Sequence, residues 1–396
     1  MNSIQQLINK MCPDGVVFVP LSNITDYDQP SKYIVKSTNY DDKYSIPVLT
    51  AGQSFILGYT NETEGLFKAS KENPVIIFDD FTTSMHWVDF DFKVKSSAMK
   101  MIKTKAGISQ RYVYHCMKNI TYKPVDHSRQ WIEKYSQIKI PLPPLQIQEE
   151  IVRILDTFTE LTAELTAELT LRKKQYEFYR DKLLSFDGLS EEEKINIGIR
   201  TIQFREFSII ERGNGLKKND FSSEGCPCIH YGQIYTKFDT YVTKTPTKVP
   251  LEIAKGLKKV NTGDIIMAVT SENIEDVCKC VAWLGEETIV TGGHTAIIRT
   301  SENPKYLTYW FQSSFFYKQK IKLTHGTKVI EVTPTDLNEI VIQLPPKSVQ
   351  DKIVNQLDLL HKYCTDLNEG LPAEINARQK QYEYYRDELL SFSESS

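Results

Sequence analysis

A fifteen-residue stretch occurs twice in this chain, and it constrains the fold more than any other feature. Residues 172–186 read RKKQYEFYRDKLLSF and residues 378–392 read RQKQYEYYRDELLSF, identical at 12 of 15 positions. Upstream, LPP at 142–144, followed by Ile147-Gln148 and Ile151-Val152, recurs as LPP at 344–346, followed by Val349-Gln350 and Ile353-Val354. A repeat on this scale means two similar halves, and it takes precedence over local propensity. The copies are offset by 202 residues at the prolines and by 206 at the tyrosine motif, so the second is four residues longer. Four residues are about one helical turn, which keeps the two copies roughly in phase.

Each motif closes a long apolar stripe. In the first, Ile147, Ile151, Ile154, Phe158, Leu161, Leu165, Leu169, Tyr176, Tyr179, Leu183 and Phe186 follow a heptad-like rhythm, interrupted once by Arg172. That rhythm predicts a helix seated against a partner helix. Within it, TELTAELTAELT (159–170) repeats every four residues. Forty helical residues span roughly 60 Å, longer than a globular core needs, which predicts a spacer. In the second stripe GLP at 370–372 interrupts the pattern. The residue before a proline resists the helical region, so a kink or break is expected there. The helix–helix or partner-docking positions are Ile151, Leu155, Phe158, Leu165, Leu169, Tyr176, Tyr179, Arg180 and Leu183, then Ile353, Leu357, Leu367, Ile375, Tyr382, Tyr385, Arg386 and Leu389. The tyrosines and leucines of each motif are expected to seal against the start of the other long helix.

The segments between the stripes are globular in pattern. The first opens with an amphipathic helix (Ile4, Leu7, Ile8, Met11). Short apolar runs at 16–19, 46–49, 55–57, 75–78 and 87–92 read as strands, and 110–118 as a helix. In the second, 229–234, 265–269, 277–283, 289–290 and 295–299 read as strands and 306–321 as a helix. The expected fold is α+β: two similar globular domains with twisted sheets, separated by two long antiparallel coiled-coil-like helices, with pseudo-two-fold symmetry. The boundaries fall at 1–144 and 189–346 for the globular domains, and at 145–188 and 347–396 for the helices.

Charge and cysteine usage narrow the function. Net charge is −3, yet the first 142 residues hold 17 Lys+Arg against 14 Asp+Glu, a balance of +3. The globular parts are therefore the better candidates to meet a polyanion. Seven cysteines, an odd number without framework spacing, fit a reducing cytoplasm. No apolar run approaches a membrane span, and the amino-terminal stretch does not read as a signal peptide.

Two similar heads at fixed separation suit a split target on duplex DNA, whose equivalent faces recur about 34 Å apart. Candidate contacts in the first head are Thr82, Thr83, His86, Lys93, Lys95, Ser96, Ser97, Lys100, Lys103 and Lys105. In the second they are Lys217, Lys218, Tyr231, Gln233, Tyr235, Thr236, Lys237 and Lys244. Lysine, serine and threonine hold phosphates, while glutamine, lysine and threonine read base edges. The alternative is that these lysines form a solvated face and the tyrosines belong to the core.

Catalytic chemistry is sparse. There is no GxxxxGK[ST] phosphate loop and no Asn/Asp-Pro-Pro-aromatic run. Asp80, Asp91 and Lys93 could form a Mg²⁺ nuclease centre, although Asp91 also fits the polar face of a strand. Cys226/Cys228 and Cys278/Cys280 have one intervening residue, where structural zinc usually wants two to four. His294 and His325 have no paired nucleophile and read as loop or DNA-proximal residues.

With these motifs in view, the chain resembles the specificity subunit of a type I restriction–modification enzyme. The resemblance rests on PVLTAG (47–52), ILGYT (56–60), IIFDDFTT (76–83), VKSSA (94–98), YGQIYTK (231–237), LPPLQIQ (142–148), QYEFYRDKLL (175–184) and the TAEL tetrapeptide. It implies that each globular unit is a target recognition domain reading half of a bipartite double-stranded DNA sequence. It further implies that the helices set the gap and dock two adenine-N6 methyltransferase subunits, with two ATP-dependent restriction subunits as possible further partners. S-adenosylmethionine, ATP and Mg²⁺ would belong to those partners; this chain would hold no cofactor or metal and perform no catalysis. An orphan interaction scaffold without DNA binding is the other reading of the same architecture.

Overall fold

The structure is a computed structural model that describes residues 2–50, 55–365 and 370–395. The chain divides into two compact units, Met1–Thr166 with Glu374–Ser396, and Ala167–Ala373.

In the first unit the strands Thr25–Asp28, Met99–Thr104, Val75–Asp79 and Met85–Val88 lie side by side in that order, all antiparallel. The middle strand VIIFD is buried along its whole length. Successive side chains of a strand face opposite ways. Ile76 and Phe78 accordingly enter a core shared with the helices, and Val75 and Ile77 enter a second core beneath the small sheet of Ile56–Thr60, Ile46–Leu49 and Lys93–Val94.

The second unit repeats this plan. Ser208–Arg212, Thr295–Thr300, Ile265–Ala268 and Cys280–Trp283 take the same order and sense, and Tyr241–Val242 adds a parallel edge strand. Ile265 and Met267 face the helical core, Ile266 and Ala268 the other. The small sheets also correspond: Ile46–Leu49 runs parallel to Lys93–Val94, as Cys226–Ile229 does to Ile289–Thr291. In each unit a two-stranded ribbon, Phe18–Pro20 with Lys139–Pro141 or Arg200–Gln203 with Val341–Leu344, delivers the chain to a long helix.

The long helices are built from matched parts. Leu145–Leu184 is one continuous helix of 40 residues. In its first turn Gln148 accepts from the Ser109 amide at 3.0 Å and donates to the Pro143 carbonyl at 2.8 Å. Gln350 does the same with Asn303 (3.0 Å) and Pro345 (2.9 Å). Ser109 and Asn303 themselves cap the helices Gln110–Asn119 and Pro304–Phe311. Hydroxyl and amide side chains at this position satisfy orphan amides of the first turn.

The expected sealing by the tyrosine motifs is found within each unit. Ile151, Leu155 and Leu389 are buried in one cluster, with Tyr382 and Tyr385 packed on it and Phe158 stacked on Tyr385 at 5.1 Å. In the other unit Tyr176, Leu184, Ile353 and Leu357 are buried together, with Leu183 against them. Arg180 pairs with Asp181 at 2.9 Å and Arg386 with Asp387 at 2.6 Å, each guanidinium 5.9 Å from the ring of its own Tyr176 or Tyr382. Leu165, Leu169 and Ile375 are half-buried and Tyr179 is exposed. Leu367 lies outside the described residues. Lys347–Thr365 and Leu371–Leu389 are helical, Gly370 is a bend, and Leu371 and Pro372 begin the second of these helices.

Three local expectations are corrected. Residues 229–234 are not one strand: Cys226–Ile229 is extended and Tyr231–Thr236 is helical. His230 starts that helix, its Nδ1 accepting from the Gly232 amide while the Gln233 side chain accepts from the His230 amide. Residues 306–321 are not one helix, because Pro304–Phe311 closes on Gln312 and Ser313 caps Ser314–Lys320. The strand at 87–92 begins earlier and ends at Val88.

Candidate nucleic-acid interface

Each unit gathers three loops at the same end of its main sheet. In the first unit, the turn after Val75–Asp79 meets residues 95–98 and 126–131. The Asp80 amide donates to Ala98 O (3.0 Å), and the Gln130 amide donates to Asp80 O (2.8 Å). In the second unit the Val269 amide donates to His294 O (3.0 Å) and the Val332 amide to Val269 O (3.0 Å). The same two backbone bonds thus tie the same three loops in both units. Their segments are far apart in sequence, so only the sheet brings them together.

The first cluster exposes Thr82, Lys95, Ser96 and Ser97, with Thr83 half-buried in the turn. The His127 ring lies tilted 5.2 Å from Phe81, and Arg129 reaches Asp80 at 3.7 Å while half exposed. In the second cluster the Arg212 guanidinium donates to Gly293 O at 3.0 Å and pairs with Glu331. His294 is exposed, its Nδ1 2.9 Å from the Thr270 hydroxyl and its ring 4.8 Å from Tyr231. His325 and Lys328 are exposed on the third loop. Burial, then the charges of His294 and Lys218, hold His230 below its ordinary pKa. Lys217 and Lys218 are exposed, next to Leu216, which lies against Gly292.

Other expected contacts go elsewhere. Lys93 is 2% exposed and bonds Glu62 at 2.6 Å. Lys100 is fully buried, 3.3 Å from Asp80 and 3.0 Å from the Gln29 side chain. A buried ammonium with a carboxylate partner is unavailable to phosphate, so neither lysine is a DNA contact. Gln233 is buried, committed to the His230 amide and Thr247. Tyr235 spends its hydroxyl on Thr270 O (2.7 Å) and Thr236 its own on Gly232 O (2.8 Å). His86 stacks on Phe55 at 4.0 Å, and burial, then Lys118, lowers its pKa. Lys103 bonds Asn73 (2.9 Å) from the strand Met99–Thr104, and Lys105, just past its end, bonds Asn23 O (3.0 Å), both leading away from the loops. Lys237 and Lys244 are exposed, but Lys244 follows the edge strand Tyr241–Val242, at the end of the sheet away from the cluster. Arg129, Arg212, His230 and Lys328 were not expected from sequence; no local motif marks them.

The nuclease constellation is not assembled. Asp80 faces Lys100, Asp91 pairs with Lys68 at 2.6 Å, and Lys93 holds Glu62. Among the described residues no group of three or more His, Cys, Asp or Glu could hold a metal. Burial pushes the Cys228 and Cys278 thiols up to about 12, which keeps them protonated and poor ligands.

The Lys93–Glu62 pair gives a stability prediction. The Lys93 hydrogen bond, together with the Ser37 and Lys36 amides, outweighs burial and lowers the Glu62 carboxyl to about 2. Replacing Lys93 with Met should cost about 2–3 kcal/mol in urea unfolding near neutral pH. Because the folded pKa is depressed, the pair stabilises above the unfolded value of about 4.3, and the deficit should shrink as pH falls toward 2.

The comparisons with known proteins agree with this architecture. The family described as type I restriction modification DNA specificity domain matches residues 13–171 and 204–377. The chain is 41% identical over 404 residues to the type I restriction enzyme EcoR124I/EcoR124II specificity subunit of Escherichia coli, covering 96% of this chain and 95% of that one. It is 29% identical over 359 residues to a putative type I restriction enzyme specificity subunit of Haemophilus influenzae, covering 86% of each. The fold matches a type I restriction–modification S subunit from M. genitalium with a TM-score of 0.52 at 13% identity, covering 95% of this chain and 96% of that one. A second match, from work on complex assembly and conformational transition of the type I system, has a TM-score of 0.59 at 17% identity, covering 96% and 98%.

The chain belongs to the type I restriction–modification specificity family. Within that family it is a specificity subunit, the non-catalytic DNA-recognition member of the complex. Among the described residues no helix is long and apolar enough to cross a membrane.

Proposed function

We propose that each globular domain, 1–144 and 189–346, reads one half of a bipartite duplex-DNA target through its three-loop cluster. The helical segments, 145–188 and 347–396, set the spacing and dock two adenine methyltransferase subunits, and through them restriction subunits. The observation that carries the reading is the identical pair of backbone bonds assembling three exposed loops in both units. Each cluster carries cations with open access to phosphate: Lys95 and Arg129 in one, Lys217 and Lys328 in the other. Docking is supported by Phe178 and Tyr384, which occupy the same position of the two motif copies and are 62% and 64% exposed. A solvent-facing aromatic at the same place twice marks a surface made for a partner. Methyl donor, ATP and Mg²⁺ belong to the partner subunits in this reading.

The test is a salt-dependent binding isotherm on duplex DNA, with methylation mapping of the assembled complex. Lys95→Ala and Lys328→Ala should each weaken binding uniformly across sequences and reduce the log–log salt slope by about 1. A wild-type isotherm without salt dependence would instead mean a scaffold that does not bind DNA.

A further inference from the structure

Among the described residues only two non-glycine residues have a left-handed backbone, Thr83 (φ 59°) and Cys278 (φ 69°). They occupy the same place in the two units. Thr83 N donates to Asp79 O (3.0 Å) while Asp79 N donates to Ser84 O (2.8 Å). Cys278 N donates to Ala268 O (2.8 Å) while Ala268 N donates to Lys279 O (2.8 Å). The flanking register agrees, with Phe78 opposite Met85 and Met267 opposite Cys280. Both positions thus keep a backbone that ordinary side chains avoid, although the residues differ and neither is glycine.

Above this shared closure the hairpins diverge. The first runs through residues 80–82 and the second through residues 269–277, six residues longer. Both are held from beneath by a buried lysine. In the first unit Lys100 faces Asp80, whose other oxygen accepts from the Trp131 amide at 2.8 Å. In the second, Lys320 is 4% exposed and donates to the carbonyls of Glu275 (3.1 Å) and Val277 (2.9 Å). The tips are therefore fixed in place while their length and chemistry vary. The first presents hydroxyls, Thr82 Oγ1 lying 3.0 Å from Ser84 Oγ. The second presents the exposed Glu272, beside Asn273, whose side chain is turned back on the loop, accepting from the Asp276 amide (2.7 Å) and donating to the Asp276 carboxylate (2.8 Å).

We infer that this hairpin tip, pivoted on the left-handed residue at 83 or 278, carries the base readout that distinguishes the two half-sequences. The inference rests on the DNA-reading function proposed above. An exposed carboxylate beside phosphate is repelled, so Glu272 suits a tip that faces base edges, where it accepts from a cytosine amino group. A threonine hydroxyl bonds either partner type. The second half-sequence should accordingly present a cytosine to its tip.

The experiment is methylation-site mapping with the full chain assembled with its methyltransferase subunits, using Thr82→Ala and Glu272→Ala. Thr82→Ala should relax one base position in one half-sequence only, and Glu272→Ala one position in the other only, each lowering discrimination about tenfold or more. The salt slope of DNA binding should stay at the wild-type value in both, since neither side chain holds phosphate. Unchanged discrimination at every position in either variant overturns the inference and leaves DNA reading by the clusters standing. So does a change in both halves from one substitution. A wild-type complex that methylates no split motif overturns both together.

Discussion

Replacing Asp156 with alanine should destabilise the first unit by about 2–4 kcal/mol, read as a lower urea midpoint and faster amide exchange in the helix Gln110–Asn119. Its carboxylate accepts from Arg111 Nε and lies 2.8 Å from His115 Nε2, also 2.8 Å from Arg111. His115 is 1% exposed, and its other ring nitrogen lies 3.3 Å from the Tyr382 hydroxyl. Three segments, the capped helix, the start of the long helix and the carboxy-terminal motif, therefore meet on this group. Deleting it leaves a buried imidazole and a mostly buried guanidinium without their acceptor, which costs far more than losing a solvated pair. Asp91→Ala is the contrast: Lys68, its ion-pair partner, is 70% exposed, and the loss should stay below about 1 kcal/mol.

The pH dependence has a definite sign. Burial opposes ionisation of Asp156, but the hydrogen bonds from His115 and Arg111 outweigh it and hold the carboxyl below its ordinary range. A depressed folded pKa contributes stability above the unfolded value of about 3.9 and loses it as pH falls further. The gap between wild type and Asp156→Ala should thus be full near neutral pH and close on acidification. The second unit builds the same junction from different residues: Asp358 pairs with Lys305 and accepts from the Tyr309 hydroxyl at 2.7 Å. Asp358→Ala should destabilise that unit by a similar amount.

What the sequence revealed, and what it hid, follows from the range of the interactions. The long helices and the doubled plan were legible because both are written locally, in a 3.6-residue stripe and a near-identical motif. The tyrosine seals followed from the same pattern. Lys93 and Lys100 were misread because their partners come from other parts of the chain: Glu62 is 31 residues from Lys93, and Asp80 reaches Lys100 across adjacent strands. Nothing at positions 93 or 100 distinguishes a buried ammonium from a solvated one. The three-loop clusters were hidden for the same reason, since Asp80 is bonded to Trp131 at a separation of 51 residues. Arg129 and Arg212 become candidates only when the sheet puts their loops beside the hairpin. The one trace available in advance was the repeat itself: matched backbone bonds at matched positions could be sought only once the halves were known to correspond.

Deleting Thr166–Leu169, residues 166–169, should alter the gap between the two half-sequences and leave both half-sequences intact. The helix Leu145–Leu184 runs unbroken from the first unit into the second, and the boundary between the units falls inside it, after Thr166. Around that boundary half-buried leucines, Leu161, Leu165 and Leu169, alternate with exposed positions. Ala163, Glu164, Thr166 and Ala167 are exposed, and the hydroxyls of Thr162 and Thr166 bond back to Phe158 O (2.8 Å) and Thr162 O (2.7 Å). Alanine, leucine and glutamate are strong helix formers, so the segment stays helical without a tight core around it. Removing four residues takes out about one turn and shortens the helix by about 6 Å, close to two base-pair steps of 3.4 Å. The loop clusters, at Asp80 and Val269, are untouched by the deletion, so the bases they read should not change. Methylation mapping of the assembled complex would then return the same two half-sequences with a gap altered by at most about two base pairs. A changed half-sequence would mean that this helix shapes the reading loops themselves, and an unchanged gap would mean that it does not set the spacing.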